Sequence, residues 1–151
     1  MFQKAVELNA NLIIPYCFQK SLTKINNQNY LQKLKRYQKI VKEAGEQSQR
    51  NHKVRIVNHL INKSEIKNYL LTNNFICDLK GKPFSFQKTK NNQDTLIIIG
   101  PREGFSKEER LFFKSLNFQF VQLSKTVLRT ETAFISALAI CNYLLNLKIT
   151  T

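Results

Sequence analysis

The chain has 151 residues with a hydrophobic share of 42%, which suffices for one globular domain with a substantial core and leaves no comfortable room for two. Its 24 lysines and arginines outnumber its 10 aspartates and glutamates, and the net charge of +14 favours a polyanionic partner such as nucleic acid, although solubilising lysines would give the same excess. The chain does not start with a signal-peptide pattern, and its most apolar C-terminal stretch, 133–145, is far shorter than the roughly 20 residues that a membrane span requires. We therefore expect a cytoplasmic protein that does not enter a membrane.

Apolar spacing predicts the elements of the first half of the chain. Residues 1–9 have helical spacing and precede a short buried strand that Pro15 ends. The longest predicted helix covers 29–49, with Leu34 and Val41 on its apolar face and basic residues over much of the rest. The pattern then predicts, in order, a strand at 54–57, a helix from Ser64 to Leu71, a strand at 75–79 and a polar loop over 80–94.

The second half of the chain begins with the clearest strand. A continuous aliphatic run at 96–99 has the pattern of a strand buried on both faces, and Gly100 ends it. Ser106 and Glu109 then form a capping box, which opens a helix to about Leu116. Strands and helices alternate throughout, so we expect an α/β fold with a mainly parallel sheet and flanking helices.

The last helix is apolar on every side. It follows a strand at 118–123, is capped by Thr130 or Thr132 and runs to about Asn146. A helix of that kind in a soluble protein has to be buried all round, and a domain of this size covers only one of its faces. We therefore expect a two-fold homodimer that forms through this helix.

The cysteines and histidines lack the spacing of a disulfide framework or a metal site. Cys17, Cys77 and Cys141 are odd in number, widely separated and set among apolar neighbours, so we expect reduced thiols in the core. His52 and His59 have neither cysteine nor acidic partners at ligand spacing. The sequence therefore predicts no metal.

Three segments carry polar residues that could form a site, whereas the GxGxxG and Walker A motifs of nucleotide-binding proteins are not found. The first is the loop 100–106, at the carboxyl end of the central strand, where glycines let the backbone approach a ligand. The second, 128–133, enters the apolar helix, and the third, 43–50, ends the long helix. Each segment alone is equally typical of a helix cap or a solvated helix end.

Together and in this order, the segments resemble the signatures of a known family. Their residues are Glu43-Ala44-…-Glu46-Gln47-Ser48-…-Arg50, Gly100-Pro101-…-Gly104-Phe105-Ser106 and Leu128-Arg129-Thr130-Glu131-Thr132-Ala133. The set resembles the 16S ribosomal RNA uracil-N3 methyltransferases of the SPOUT superfamily, from Gln3 to about Leu144. This resemblance implies a C-terminal trefoil knot, the cofactor S-adenosylmethionine, a homodimer with its cofactor pockets at the knot, and a 16S ribosomal RNA substrate in the 30S particle.

The resemblance also implies where the ligands bind. We expect the cofactor to contact Ile99, Gly100, Glu103, Gly104, Leu123, Ser124, Leu128 and Thr130. Arg129 is the candidate for stabilising negative charge on the uracil, and Glu131 is the candidate for accepting its N3 proton. We expect RNA contacts from Lys33, Arg36, Glu46, Gln47, Arg50 and Arg102.

The sequence departs from the family pattern at three places. Arg102 and Glu103 stand where members usually have Glu and Gly, and Ser124 stands where Gly is usual; a positive φ at Glu103 would cost about 1 kcal/mol. The family's N-terminal barrel, which helps to grip RNA, does not precede these residues, so we expect 1–151 to be the methyltransferase domain alone. Two alternatives stay open, a ribose 2′-O-methyltransferase of the same superfamily, whose early Asn/Gly/Arg signature is not found here, and a non-catalytic RNA-binding dimer.

Overall fold

The computed structural model describes residues 1–21, 26–84 and 94–146. Its helices are α1 (Phe2–Glu7), α2 (Asn27–Gln47), a short 3-10 helix (Glu65–Tyr69), α3 (Lys107–Ser115) and α4 (Thr130–Asn146). Its strands are β1 (Leu12–Ile13), β2 (Arg55–Ile56), β3 (Asn73–Pro83), β4 (Thr95–Ile99) and β5 (Gln119–Gln122). Among the described residues, no helix has both the length and the apolarity needed to cross a membrane.

Every strand pairing described is parallel. β3 lies at the centre of a three-stranded sheet in the order β4-β3-β5, and β1 pairs with β2 in a separate two-stranded sheet. Phe75 and Ile76 of β3 are completely buried, as expected for a central strand covered on both faces. The predicted α/β class with a mainly parallel sheet is therefore confirmed, whereas the trefoil knot stays a prediction.

The main core joins the sheet to α3 and to the loop that precedes it. Ile76, Ile98 and Phe113 belong to one buried cluster, and the ring of Phe113 contacts those of Phe105 and Phe118 at centroid distances of 6.1 and 5.2 Å. Phe105 is only 2% exposed. The loop after β4 is thus anchored in the core by an aromatic side chain, and its backbone position follows from that packing.

The predicted capping box is present at the start of α3. Ser106 Oγ accepts a hydrogen bond from the Glu109 amide at 3.0 Å, and the Glu109 carboxylate accepts one from the Ser106 amide at 2.8 Å. The buried Glu109 side chain also accepts a hydrogen bond from the amide of Gln19 at 3.0 Å. The cap therefore connects α3 to a segment about 90 residues earlier in the chain.

A second, smaller core forms where α1 packs on α2. Val6 of α1 lies against Val41 and Ala44 of α2. Arg50, just after α2, donates hydrogen bonds to the carbonyls of Val6 and Ala10 at 3.0 and 2.7 Å. These contacts fix the end of the long helix against the start of the chain.

The polar loop predicted over 80–94 is wrong for its first residues, because β3 extends to Pro83. A Cβ atom at Gly81 would lie 2.6 Å from the backbone of Val121, so only glycine allows the two strands to approach this closely. The rest of that segment, 85–93, lies outside the described residues. Gly81 is therefore a position of close strand contact and not a loop residue.

Two local predictions are also corrected. Ser64 makes no side-chain cap bond, because Asn62 Oδ1 accepts the amides of Ser64 and Glu65 instead, and the helix that follows is a 3-10 helix. Cys17 is exposed, so it is not a core thiol; Cys141 is buried and Cys77 is partly buried.

Ser106 and Ser64 give a matched test of the caps. We expect Ser106→Ala to lower the free energy of unfolding by about 1 kcal/mol, because an orphan amide of α3 loses its acceptor. Ser64→Ala should change it by less than about 0.5 kcal/mol, because that hydroxyl caps no amide. Urea denaturation followed by circular dichroism measures both values, and equal losses would show that the Ser106 cap contributes nothing specific.

Candidate active site

The structure has a cavity of about 390 Å³ beyond the carboxyl ends of the three-stranded sheet. Cys77 of β3 is paired with Ile99, the last residue of β4, and with Val121, next to the end of β5. β3 has an irregularity between Cys77 and Lys82, so its residues 77–80 lie at the level where β4 and β5 end. Ligands of open α/β sheets bind at this edge. The wall is formed by 77–80, 99–105, 123–124, 126–128, Arg110, Thr130 and Ala133.

The glycine loop, 100–106, forms one side of the cavity. A Cβ atom at Gly100 would lie 2.8 Å from the ring of Phe105, so glycine is required where that ring covers the end of β4. Gly104 has a φ of 69° and its amide donates to the Pro101 carbonyl at 2.9 Å. Glu103 is not among the described residues with positive φ, so the strain considered for this position does not arise.

The opposite side is the turn between β5 and α4. Ser124 Oγ accepts a hydrogen bond from the Thr126 amide at 3.1 Å and lies 2.9 Å from the Thr126 hydroxyl. Ser124, which stands where the family usually has glycine, therefore stabilises this turn through its side chain. Leu128 and Thr130 continue the wall into the first turn of α4, where the Arg129 carbonyl accepts the Ala133 amide at 2.8 Å.

The sequence did not indicate several residues of the cavity wall, and two of these, Asp78 and Arg110, form an ion pair. The side chain of Asp78 is only 3% exposed and accepts a hydrogen bond from Arg110 Nε at 2.7 Å. Arg110 Nη1 donates to the Phe105 carbonyl at 2.8 Å, so the pair connects β3 to the glycine loop. An isolated aspartate in the otherwise apolar run 75–79 was the signal available for Asp78; the spacing of 32 residues gave no signal for its partner.

The structure brings the predicted cofactor residues together. Ile99, Gly100, Glu103, Gly104, Leu123, Ser124, Leu128 and Thr130 all lie on the wall of the one cavity. Arg129 and Glu131 are exposed and flank Thr130 without lining the cavity themselves. Their catalytic roles, like the binding roles of the first group, stay predictions.

The predicted RNA-binding residues are in two regions. Arg102 lies on the cavity wall and is exposed. Lys33 and Arg36 are exposed on α2, and Glu46 and Gln47 are exposed near its end; none of the four lines the cavity. Arg50 is engaged with the Val6 and Ala10 carbonyls and with Asn11 Oδ1 at 2.6 Å, so its guanidinium already holds this part of the fold together.

Burial controls the thiol chemistry near the cavity. Loss of solvation raises the pKa of Cys77, which lines the cavity, to about 12, and the nearby Cys141 adds to the shift. The pKa of Cys141 is also raised to about 12 by burial. Both thiols are therefore protonated and poorly nucleophilic at neutral pH.

No metal cluster is formed by histidine, cysteine and acidic side chains within the described parts of the chain. His59 Nε2 lies 2.8 Å from Glu65 Oε1, at the 3-10 helix and not at the cavity. The pKa of Glu65 is lowered, first by its hydrogen bond from the Asn62 amide and then by His59. This pair is explained by local structure.

The family model for the RNA methyltransferase domain matches residues 1–142, so the chain belongs to the RNA methyltransferase domain family. Ribosomal RNA small subunit methyltransferase E of Mesomycoplasma hyopneumoniae is 36% identical over 149 residues, covering 92% of this chain and 61% of that protein. The protein of the same name from Aquifex aeolicus is 31% identical, covering 91% and 59%. The chain thus spans about three fifths of the length of the curated relatives it matches.

Solved structures show the same fold. A putative methyltransferase from Legionella pneumophila, solved in complex with S-adenosylmethionine, has a TM-score of 0.87 and 26% identity, covering 94% of this chain and 59% of that one. Ribosomal RNA small subunit methyltransferase E from Neisseria gonorrhoeae, bound to S-adenosylmethionine, has a TM-score of 0.80 and 28% identity, covering 95% and 59%. The predicted kinship with the SPOUT methyltransferases that modify small-subunit ribosomal RNA is confirmed.

Thiol labelling tests the surroundings of the cavity. At pH 8 we expect Cys17 to react rapidly with a disulfide reagent in the folded protein, whereas Cys77 and Cys141 stay unreactive because each has a pKa of about 12. All three should react in denaturant. Cys17→Ser should abolish the rapid phase, and a second rapid thiol in that variant would contradict the buried environment of Cys77.

Proposed function

We propose that this chain binds S-adenosylmethionine in the cavity and methylates N3 of a uridine in 16S ribosomal RNA. The observation that carries the proposal is the single cavity formed by the glycine loop and the β5–α4 turn at the carboxyl edge of a parallel sheet. The relatives named for small-subunit ribosomal RNA methylation support the substrate class. Such a substrate also accords with a cytoplasmic location.

The residues of the cavity fit such a cofactor. Its volume of about 390 Å³ is in the range of roughly 300–1,000 Å³ found for small-molecule sites. Ile99, Leu123 and Leu128 provide apolar surface suited to an adenine ring. Gly104 has no side chain to fill the space beside it, where the nearest atom to a Cβ would be Arg110 Nη2 at 3.9 Å, so a ligand can approach the loop backbone there.

Methyl transfer to N3 requires that the uracil has lost its N3 proton and that N3 faces an electrophilic methyl group. S-adenosylmethionine, when bound, supplies that methyl group on a sulfonium. N3 of uracil carries a weakly acidic proton, and its loss leaves negative charge on the flanking carbonyl oxygens. In the proposed reaction Arg129, which directly precedes α4, stabilises that charge, and Glu131 accepts the proton; both residues flank Thr130, which lines the cavity.

A dimer would complete the surface of α4. Ala137, Cys141 and Leu144 form its buried face, while Ile135 and Ala139, four residues apart, lie on an exposed apolar face. A second copy packed by two-fold symmetry would cover that face. Because Ala137 is fully buried within the chain, a charge at this position would disturb the fold itself and would not report on the dimer.

The proposed catalytic arginine is tested by Arg129→Ala. We expect kcat to fall by about 10²–10³-fold, because a charge opposite the developing oxyanion is removed. The assay is methyl transfer from labelled S-adenosylmethionine to 30S particles, and Arg55→Ala, an exposed arginine on β2, is the control. An unchanged kcat would show that the Arg129 side chain takes no part in the methyl transfer.

The same assay tests the reaction itself. Nucleosides from the digested RNA, separated by mass spectrometry, should contain 3-methyluridine. A ribose-methylated nucleoside would favour the 2′-O-methyltransferase alternative instead. If calorimetry detects no binding of S-adenosylhomocysteine to folded protein at millimolar concentration, the enzymatic proposal fails and a non-catalytic RNA-binding dimer takes its place.

The dimer is tested by Ile135→Glu. We expect light scattering at micromolar concentration to give twice the chain mass for the unmodified protein and the mass of one chain for the variant, because a charge cannot be buried unpaired between two helices. Leu111→Glu changes a comparably exposed leucine on α3 and should leave the dimer intact. A monomeric unmodified protein would contradict the proposed interface.

The basic face of α2 is tested through salt. Each phosphate contact makes the slope of log K against log salt more negative by about 0.7–0.9. The double variant Lys33→Ala/Arg36→Ala should therefore bind RNA less tightly and with a slope less steep by about 1–2. Lys53→Ala/Lys67→Ala removes the same charge from positions outside α2, and an equal effect of both pairs would show that α2 has no special role.

A further inference from the structure

Arg110 has one end of its guanidinium fixed and the other directed along the glycine loop. Its Nε donates to Asp78 Oδ2 at 2.7 Å, and its Nη1 donates to the Phe105 carbonyl at 2.8 Å. Within the described residues, Nη2 makes no hydrogen bond, and it would be 3.9 Å from a Cβ atom at Gly104. Because guanidinium is planar, the two occupied donors set the direction of the remaining ones.

Asp78 keeps this arrangement rigid. Its Oδ1 accepts the Lys80 amide at 2.9 Å, while Oδ2 accepts Arg110 Nε. The buried carboxylate therefore has a partner on each oxygen and cannot rotate freely. A buried carboxylate left without Arg110 would be costly, so the pair holds the guanidinium at the cavity wall.

The charges of the wall favour an anionic group beside Arg110. Asp78 is neutralised by Arg110, and Lys80 and Arg102 outnumber Glu103 among the other charged residues that line the cavity. S-adenosylmethionine carries a sulfonium, an ammonium and one carboxylate. The carboxylate is its only anionic group, and it is the group with which a guanidinium N–H forms a charge-assisted hydrogen bond.

We propose that Arg110, oriented by Asp78, binds the carboxylate of the amino-acid end of S-adenosylmethionine through Nη2. The inference rests on the proposed function and deepens it, because it assigns one end of the cofactor to one side chain. Arg110 then distinguishes the intact cofactor from analogues without the carboxylate. The charge-assisted hydrogen bond predicts a preference of about tenfold or more.

The experiment compares S-adenosylmethionine with its decarboxylated analogue, which keeps the sulfonium and the amine. Calorimetry on the full chain gives the dissociation constant of each ligand for the unmodified protein, Arg110→Met, and Asp78→Asn/Arg110→Met. The double variant has no unpaired buried carboxylate, so it preserves folding where the single variant does not. Arg55→Met is the control for loss of a positive charge elsewhere.

The expected result is a ratio of dissociation constants of about ten or more in the unmodified protein and the control, and a ratio near one in the Arg110 variants. Affinity for the decarboxylated analogue should be nearly unchanged. If the variants weaken both ligands equally, Arg110 only holds the loop and the proposal is overturned. If neither ligand binds the unmodified protein, the proposed function fails. That outcome differs from one in which both ligands bind but the ratio of their dissociation constants is the same with and without Arg110.

Discussion

The packing of Phe105 over the end of β4 determines the geometry of the cavity. The ring belongs to the same aromatic group as Phe113, and it lies so close to Gly100 that any side chain there would clash with it. The backbone between these two residues therefore has little freedom, and Gly104 takes the left-handed conformation that returns the chain toward α3. The capping box then starts that helix immediately. One buried ring thus connects the hydrophobic core to the loop on which the proposed cofactor site depends.

Much of the fold could be predicted because its strongest patterns are local. The aliphatic run of β4 and the Ser106–Glu109 cap depend on neighbouring residues, and both appear where expected. The end of β3 was missed because glycine and proline normally end strands, whereas Gly81 is required here by the backbone of another strand. Ser64 has the right residue type for a cap, but the side chain of Asn62 reaches the same amides first. The local sequence does not indicate which of the two side chains, Ser64 or Asn62, accepts these amides.

The residues of the candidate site also fall into two groups, those that a local motif indicates and those that only the folded structure brings together. The residues within the glycine loop follow one another in sequence, and so do those within the turn between β5 and α4. The parallel sheet brings these two segments to one cavity. Asp78 and Arg110 are far apart in sequence and meet only after β3 and α3 have packed, so no linear motif marks them. Arg50 shows the opposite case: it belongs to a motif that resembles a functional one, and its hydrogen bonds tie α2 to the first residues of the chain. The motif alone does not distinguish a functional role of Arg50 from this structural one, whereas its contacts show the structural one.

The protonated thiol of Cys77 has a consequence for the proposed cofactor, which would be a methylating agent. A sulfonium alkylates soft nucleophiles, and a thiolate is the strongest of these among side chains at neutral pH. Cys77 lies on the cavity wall, yet with a pKa of about 12 almost none of it is ionised. If the proposed cofactor binds here, desolvation of this one sulfur would keep it from being methylated, and the apolar surroundings that suit an adenine ring would provide that protection.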